Sequence, residues 1–167
     1  MNIRKHPVII ALLNMSHLLL AILAAMSALV AGDCPLPYEP LDDTRCIFVD
    51  PFVTYTWQEA VDHCKVHAGT LLSFSDCETS ALIYDYLRSQ DATSNKNYWI
   101  GATDQAEEGV WKFTDGSLAP MGVPFWGPAE PNNGATYNCA FMQHNNNHYW
   151  YDFTCTSKLY SICLKDA

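Results

Sequence analysis

The chain is 167 residues long, 49% apolar and 13% aromatic, with 9 basic residues against 18 acidic ones and a formal net charge of −9. Such a balance gives no electrostatic footprint for nucleic acid or for an anionic membrane, and its plain reading is solubility. No linker, low-complexity tract or internal repeat interrupts the sequence.

In chain order, Arg4, Lys5 and His6 precede an apolar stretch from Val8 to Leu13, broken by Asn14, Ser16 and His17 and resumed from Leu18 to Val30. These are the charged and apolar regions of a secretory signal, with Ala31 and Gly32 offering a cleavage point. Residues 1–32 are therefore read as a signal peptide and 33–167 as one exported, extracellular domain. A retained anchor is the competing reading, because the whole run approaches the roughly 20 residues that span a bilayer. The polar break argues against it, and no membrane insertion is expected once the signal is removed. Asn14-Met15-Ser16 is a glycosylation triplet, but it lies in the segment to be removed and no other occurs.

The remaining stretch is long enough for one domain with a real core. It holds all 18 acids and seven bases (Arg45, Lys65, Arg88, Lys96, Lys112, Lys158 and Lys165), so its formal charge is 7 minus 18, or −11. All seven cysteines also fall there: Cys34, Cys46, Cys64, Cys77, Cys139, Cys155 and Cys163. After export they imply disulfides, and the odd number leaves a thiol over or pairs two chains.

Thr56 and Glu59 make a capping box, Trp57, Ala60, Val61, Cys64 and Ala68 an apolar stripe, and Gly69 a stop, which together predict a first helix. A second is predicted from Ser75, with Glu78 three residues on and Leu82, Ile83, Tyr86 and Leu87 on its apolar side. Short strands are expected over 70–74, 98–102, 110–113, 138–142 and 159–164. Two early helices followed by short strands make an α+β domain. Residues 114–137, rich in Gly, Pro and Asn, read as irregular, and a loop that long is usually functional.

Within that loop stands Glu130-Pro131-Asn132, seven residues before Cys139. A carboxylate and an amide carbonyl are hard oxygen donors of the kind calcium takes in sets of about six to eight. The triplet thus reads as a seat for a calcium ion and a sugar. Other candidates are weaker. His63 and His67 stand four apart but lack the glutamate of a zinc-protease helix, so they read as surface histidines. His144 and His148 flank Asn145, Asn146 and Asn147 in a predicted hairpin turn. Tyr137, Tyr149, Trp150 and Tyr151 could stack on sugar rings, although Trp150 reads as core. No nucleophile elbow, zinc helix or phosphate loop appears, and the pair Glu107 and Glu108 sits in a predicted turn, so catalysis is not expected.

The series Trp57, Ala60, Cys64, Gly69 and Leu72, then Trp99-Ile100-Gly101, Trp111, Asp115 and Gly116, then the EPN triplet, Cys139, Trp150, Asp152, Cys155 and Cys163 resembles the C-type lectin domain. The resemblance covers essentially the whole of 33–167. It implies a double-loop fold stapled by Cys64–Cys163 and Cys139–Cys155, with Cys34–Cys46 as an extra amino-terminal bridge and Cys77 left free or intermolecular. It also implies that Glu130, Asn132 and Asp152 hold calcium and that the first two contact vicinal sugar hydroxyls, with Pro131 cis between them. The EPN order resembles the mannose-type binders, so mannose-type glycans are the expected partners. Two positions depart from the family pattern: Tyr137 stands where a glutamate is usual and Tyr151 where an asparagine is usual. A phenol is a poor ligand for a hard cation, so the principal site is expected to be weakened. An auxiliary calcium site maps on Asp104, Glu108, Asn133 and Asn138, with amides where acids are usual. The whole resembles secreted single-domain invertebrate lectins that recognise microbial or self glycans in innate immunity and agglutinate when multimeric. The alternative it leaves open is a calcium-independent module for a protein or other non-sugar ligand.

Overall fold

The computed structural model describes residues 34–167, so the segment read as a signal peptide and its glycosylation triplet lie outside the described residues. The first described segment is a short strand, β1 (Glu39–Pro40), beside the 11-residue β2 (Arg45–Tyr55). Neither is among the expected strands, because β2 alternates poorly and contains Pro51. Thr56 then caps α1 (Trp57–Val66) with both bonds of the capping box in place: Glu59 N to Thr56 Oγ1 at 3.4 Å and Thr56 N to Glu59 Oε2 at 2.7 Å. The helix ends differently from expectation. Ala68, not Gly69, takes the left-handed backbone (φ 58°), while Ala68 N bonds to Lys65 O at 3.0 Å and Gly69 N to Cys64 O at 2.9 Å. Gly69 serves close approach instead, since a Cβ there would lie 2.0 Å from Tyr38 Oη and 2.7 Å from Leu164 O.

The short β3 (Thr70–Leu71) leads to α2 (Cys77–Ser89), whose start is later than predicted. Asp76 is the cap, with Oδ1 accepting from Thr79 N at 2.7 Å, so the helix begins two residues after Ser75. Beyond it come β4 (Tyr98–Thr103), β5 (Lys112–Phe113), β6 (Cys139–Gln143), β7 (Tyr149–Phe153) and β8 (Leu159–Asp166). β7 is the third strand outside the expected set. The sheet runs β1-β2-β8-β4-β6-β7, with β3 on β8 and β5 on β4. β4 and β8 pair in parallel; the other pairs are antiparallel.

Two apolar clusters flank this sheet. One joins Ile83 and Leu87 of α2 to Ile47, Tyr98, Ile100, Trp126, Trp150 and Ile162; the other sets Trp57, Ala60 and Cys64 of α1 against Trp99, Phe141 and Cys163. Three indole donors within them are satisfied: Trp57 Nε1 by Ile100 O (2.8 Å), Trp99 Nε1 by Tyr55 O (2.7 Å) and Trp126 Nε1 by Pro120 O (2.9 Å). Three disulfides join Cys34 to Cys46, Cys64 to Cys163 and Cys139 to Cys155, with Cα separations of 5.6, 5.3 and 5.2 Å. Cys77 is free and exposed. His63 is half-buried rather than a free surface group: its ring stacks on Tyr55 at 4.6 Å and meets His67 at 4.8 Å. Among the described residues no helix is long and apolar enough to cross a membrane.

Candidate functional site: the Glu130–Asp152 cleft

The β6–β7 hairpin, closed by Cys139–Cys155, presents Asp152 opposite Ala140. Successive strand residues face opposite ways. Trp150 and Asp152 are accordingly buried, at 1% and 4% exposure, with the half-buried Tyr151 between them. The long loop is brought to this strand by backbone bonds, Trp150 N to Phe125 O (2.8 Å) and Gly127 N to Trp150 O (2.9 Å). Glu130 N then bonds back to Gly127 O at 3.1 Å, in a turn where Ala129 has φ 65°. This docking sets Glu130 beside Asp152. The Glu130–Pro131 peptide is cis.

Four side chains meet there. Asn132 Nδ2 donates to Glu130 Oε1 at 2.9 Å, while Asn133 donates twice to Asp152, from its backbone N to Oδ2 (2.8 Å) and from Nδ2 to Oδ1 (2.6 Å). Glu130 Oε2 is buried and has no partner among the described residues. Burial, and then the adjoining Asp152 carboxylate, push the Glu130 carboxyl up to about 7. A buried, unpartnered carboxylate oxygen beside a second carboxylate fits a hard cation, which would be held by Glu130, Asn132 and Asp152. The acid count is low: no group of three or more His, Cys, Asp or Glu side chains gathers among the described residues.

The two tyrosines at departing positions are packing residues. The Tyr151 ring lies where a Cβ on Gly127 would touch it at 2.6 Å, and its hydroxyl accepts from Asn146 Nδ2 at 2.8 Å. Tyr137 packs on Phe153 with ring centroids 6.1 Å apart. Of the auxiliary set, the structure brings Asp104 and Asn138 together through Asp104 N to Asn138 O at 3.3 Å, and Oδ1 of each is buried without a partner among the described residues. Asp104 Oδ2 accepts from Gly109 N at 2.9 Å. Glu108 is exposed on the same turn. Asn133, the fourth of the set, gives its Nδ2 to Asp152 and keeps its Oδ1 as an acceptor. That orienting role is not readable from the sequence; two amides in succession after Pro131 are its only signal.

Residues 53–165 match the family profile of the lectin C-type domain, so the chain belongs to the C-type lectin domain family, and its fold is the disulfide-stapled double-loop fold of that family. It is 33% identical over 133 residues to human C-type lectin domain family 17, member A, a stretch that covers 78% of this chain and 32% of that relative. The chain thus spans about a third of that relative's length. It is also 34% identical over 114 residues to the alpha-N-acetylgalactosamine-specific lectin of Patiria pectinifera, covering 65% and 67% of the two chains. Among solved structures, a calcium-independent type II antifreeze protein superposes with a TM-score of 0.67 at 28% identity, over 80% of this chain and 95% of that one.

Proposed function

We propose that this protein is a secreted, calcium-dependent lectin that recognises mannose-type glycans at the Glu130–Asp152 cleft, in the service of innate immune recognition. The observation that carries this reading is Glu130 Oε2, a buried and unpartnered carboxylate oxygen beside a second carboxylate. The adjoining Asp152 carboxylate disfavours the charged form of Glu130, and a divalent cation offsets that. Calcium bound there would supply a Lewis-acidic seat for two vicinal sugar hydroxyls, which complete a shell that three protein side chains leave short. Asn133 orients Asp152 for the role, and Asn132 and Glu130 orient each other. The acid-before-amide order resembles that of mannose-type binders. The sea-star relative is named for a different sugar, so the choice of sugar is tested rather than carried over.

The test is retention on immobilised mannan in calcium, with release by a chelator. Flow-through in calcium, by a folded protein, overturns the reading. Exchanging the pair, with Glu130→Gln and Asn132→Asp, should abolish mannan retention or move preference to galactose while the protein still melts in one cooperative transition. A second reading, a calcium-independent module for a non-sugar ligand, is favoured by the two tyrosines that pack where the family carries ligands. Calorimetry with calcium separates the two readings, because only the first predicts heat of binding that Glu130→Gln removes.

A further inference from the structure

We propose that Asn133 is a site of spontaneous deamidation, and that this modification strips the Glu130–Asp152 cleft of the clamp that holds Asp152. Asn133 alone among the asparagines of the chain is followed by glycine. The side-chain carbonyl carbon of an asparagine is open to attack by the backbone nitrogen of the next residue, and a glycine there sets no Cβ in the way. Asparagine is thermolabile for this kind of reason.

The local structure favours the reaction as well as the sequence. Asn133 and Gly134 are both exposed, and a Cβ on Gly134 would meet nothing within 4 Å, so the space around that residue is open. Gly134 N makes no backbone hydrogen bond among the described residues, which leaves its proton to solvent. Ring closure requires Asn133 to turn from its resting ψ of 1°, and the turn that must follow, Gly134–Thr136, buries no residue. Gly134 stands at φ 61°, a backbone that glycine enters and leaves without steric cost. Asp115-Gly116 has the same glycine and neither freedom. Gly116 N donates to Phe113 O at 2.9 Å, while bonds from the Ser117 hydroxyl and backbone N hold the Asp115 carboxyl below its usual range, ionised and resistant to a nucleophile.

Water is the sole co-reactant. Gly134 N gives its proton to solvent and attacks Asn133 Cγ; the N–Cγ bond forms, the Cγ–Nδ2 bond breaks, and ammonia leaves. Water then opens the cyclic imide, at Cγ to give aspartate or at the backbone carbonyl to give isoaspartate. Either product undoes the clamp. Asn133 Nδ2 donates to Asp152 Oδ1 at 2.6 Å, and Asp152 is 4% exposed. A carboxylate only accepts, so a buried oxygen would lose its donor and face a second acceptor in its place. Isoaspartate would in addition lengthen the main chain by one methylene just before the turn.

The test is peptide mapping by mass spectrometry of the folded, disulfide-intact protein aged in mildly alkaline buffer, with the reduced, urea-denatured chain aged beside it. Calcium-free buffer keeps the outcome independent of what the cleft binds. Asn133 is expected to convert to aspartate and isoaspartate several-fold faster than any other asparagine of the folded protein, and Gly134→Ala to slow that conversion several-fold. Asn133→Asp, made directly, should lower the urea midpoint further than Asn133→Ala, because alanine removes the donor without adding an acceptor. An Asn133 that is still an amide in the folded protein when the denatured chain has fully converted overturns the site, as does conversion at equal rates across the other asparagines. A midpoint for Asn133→Asp equal to that of the parent overturns the loss of the clamp. The mapping is read on the unaltered protein, so the assignment of the site does not depend on either variant folding.

Discussion

A Cβ on Gly127 would come within 2.6 Å of Tyr151 Cζ and 2.7 Å of its hydroxyl, so Gly127→Ala must push the ring aside or lift the loop that carries Glu130. The change should cost about 1–3 kcal/mol, as overpacking does, and Tyr151→Ser should recover most of it in the double variant. Denaturant midpoints of the four proteins decide; independent, additive effects would show that the two residues do not meet. At Asn133 the expected cost is similar for a different reason. Asn133→Ala strips the donor from Asp152 Oδ1, a buried oxygen, and should lower stability by about 1–3 kcal/mol while weakening calcium-dependent mannan retention. His148 gives a pH dependence. Its folded value of about 4 lies below the unfolded 6.5, so between those values the unfolded chain binds the proton and the folded one does not. The contribution is full above pH 6.5 and is lost as pH falls towards 4, amounting to about 1–3 kcal/mol. Urea midpoints at pH 7 and pH 4.5 should therefore differ less in His148→Asn than in the parent.

At the scale of elements, the caps show what is legible in the sequence and what is not. The α1 start is written in Thr56 and Glu59 because a capping box is a local device, complete within four residues. Its end is not, because Gly69 is explained by Tyr38 and by the Leu164 carbonyl, more than 30 and 90 residues away along the chain. Ala68 therefore holds a left-handed backbone that glycine would hold more readily. Ala68→Gly should raise stability by up to about 1 kcal/mol, whereas Gly69→Ala, facing a fixed carbonyl, should lower it by more than that; thermal melts of both check the sign. The unexpected strands have the same origin. β2 and β7 are defined by partners across the sheet, and Pro51 and the mixed pattern of Tyr149 to Phe153 hide them. Within the cleft, the EPN triplet is visible as chemistry, whereas the approach of Asp152 depends on backbone bonds between Trp150 and residues 125–127 that no local pattern announces.

For the molecule as a whole, the free thiol bears on assembly. Cys77 is exposed at the start of α2, and on the secreted reading proposed above it meets an oxidising medium. We expect a disulfide-linked dimer on a non-reducing gel, collapsing to monomer with reductant and absent in Cys77→Ser. If the parent runs as monomer with Cys77 open to alkylation, any agglutination must come from another surface.

The placing of Cys64–Cys163 has a mechanical consequence. The start of β2 and the carboxyl end of the chain lie side by side, with Arg45 paired to Asp166 and Ala167 N bonded to Thr44 O at 2.9 Å. Tension applied between those ends would unzip β2 from β8, but the load then passes directly from Cys64 to Cys163 and bypasses everything between. Only the segment from Cys46 to Cys64 and the last few residues can pay out, about 75 Å at full extension. Glu130, Asn132 and Asp152 all lie inside the shielded segment. A molecule held at both ends and pulled would yield a short, fixed length and keep its cleft intact, until reduction of that one bond let the chain run, save the loops closed by Cys34–Cys46 and Cys139–Cys155.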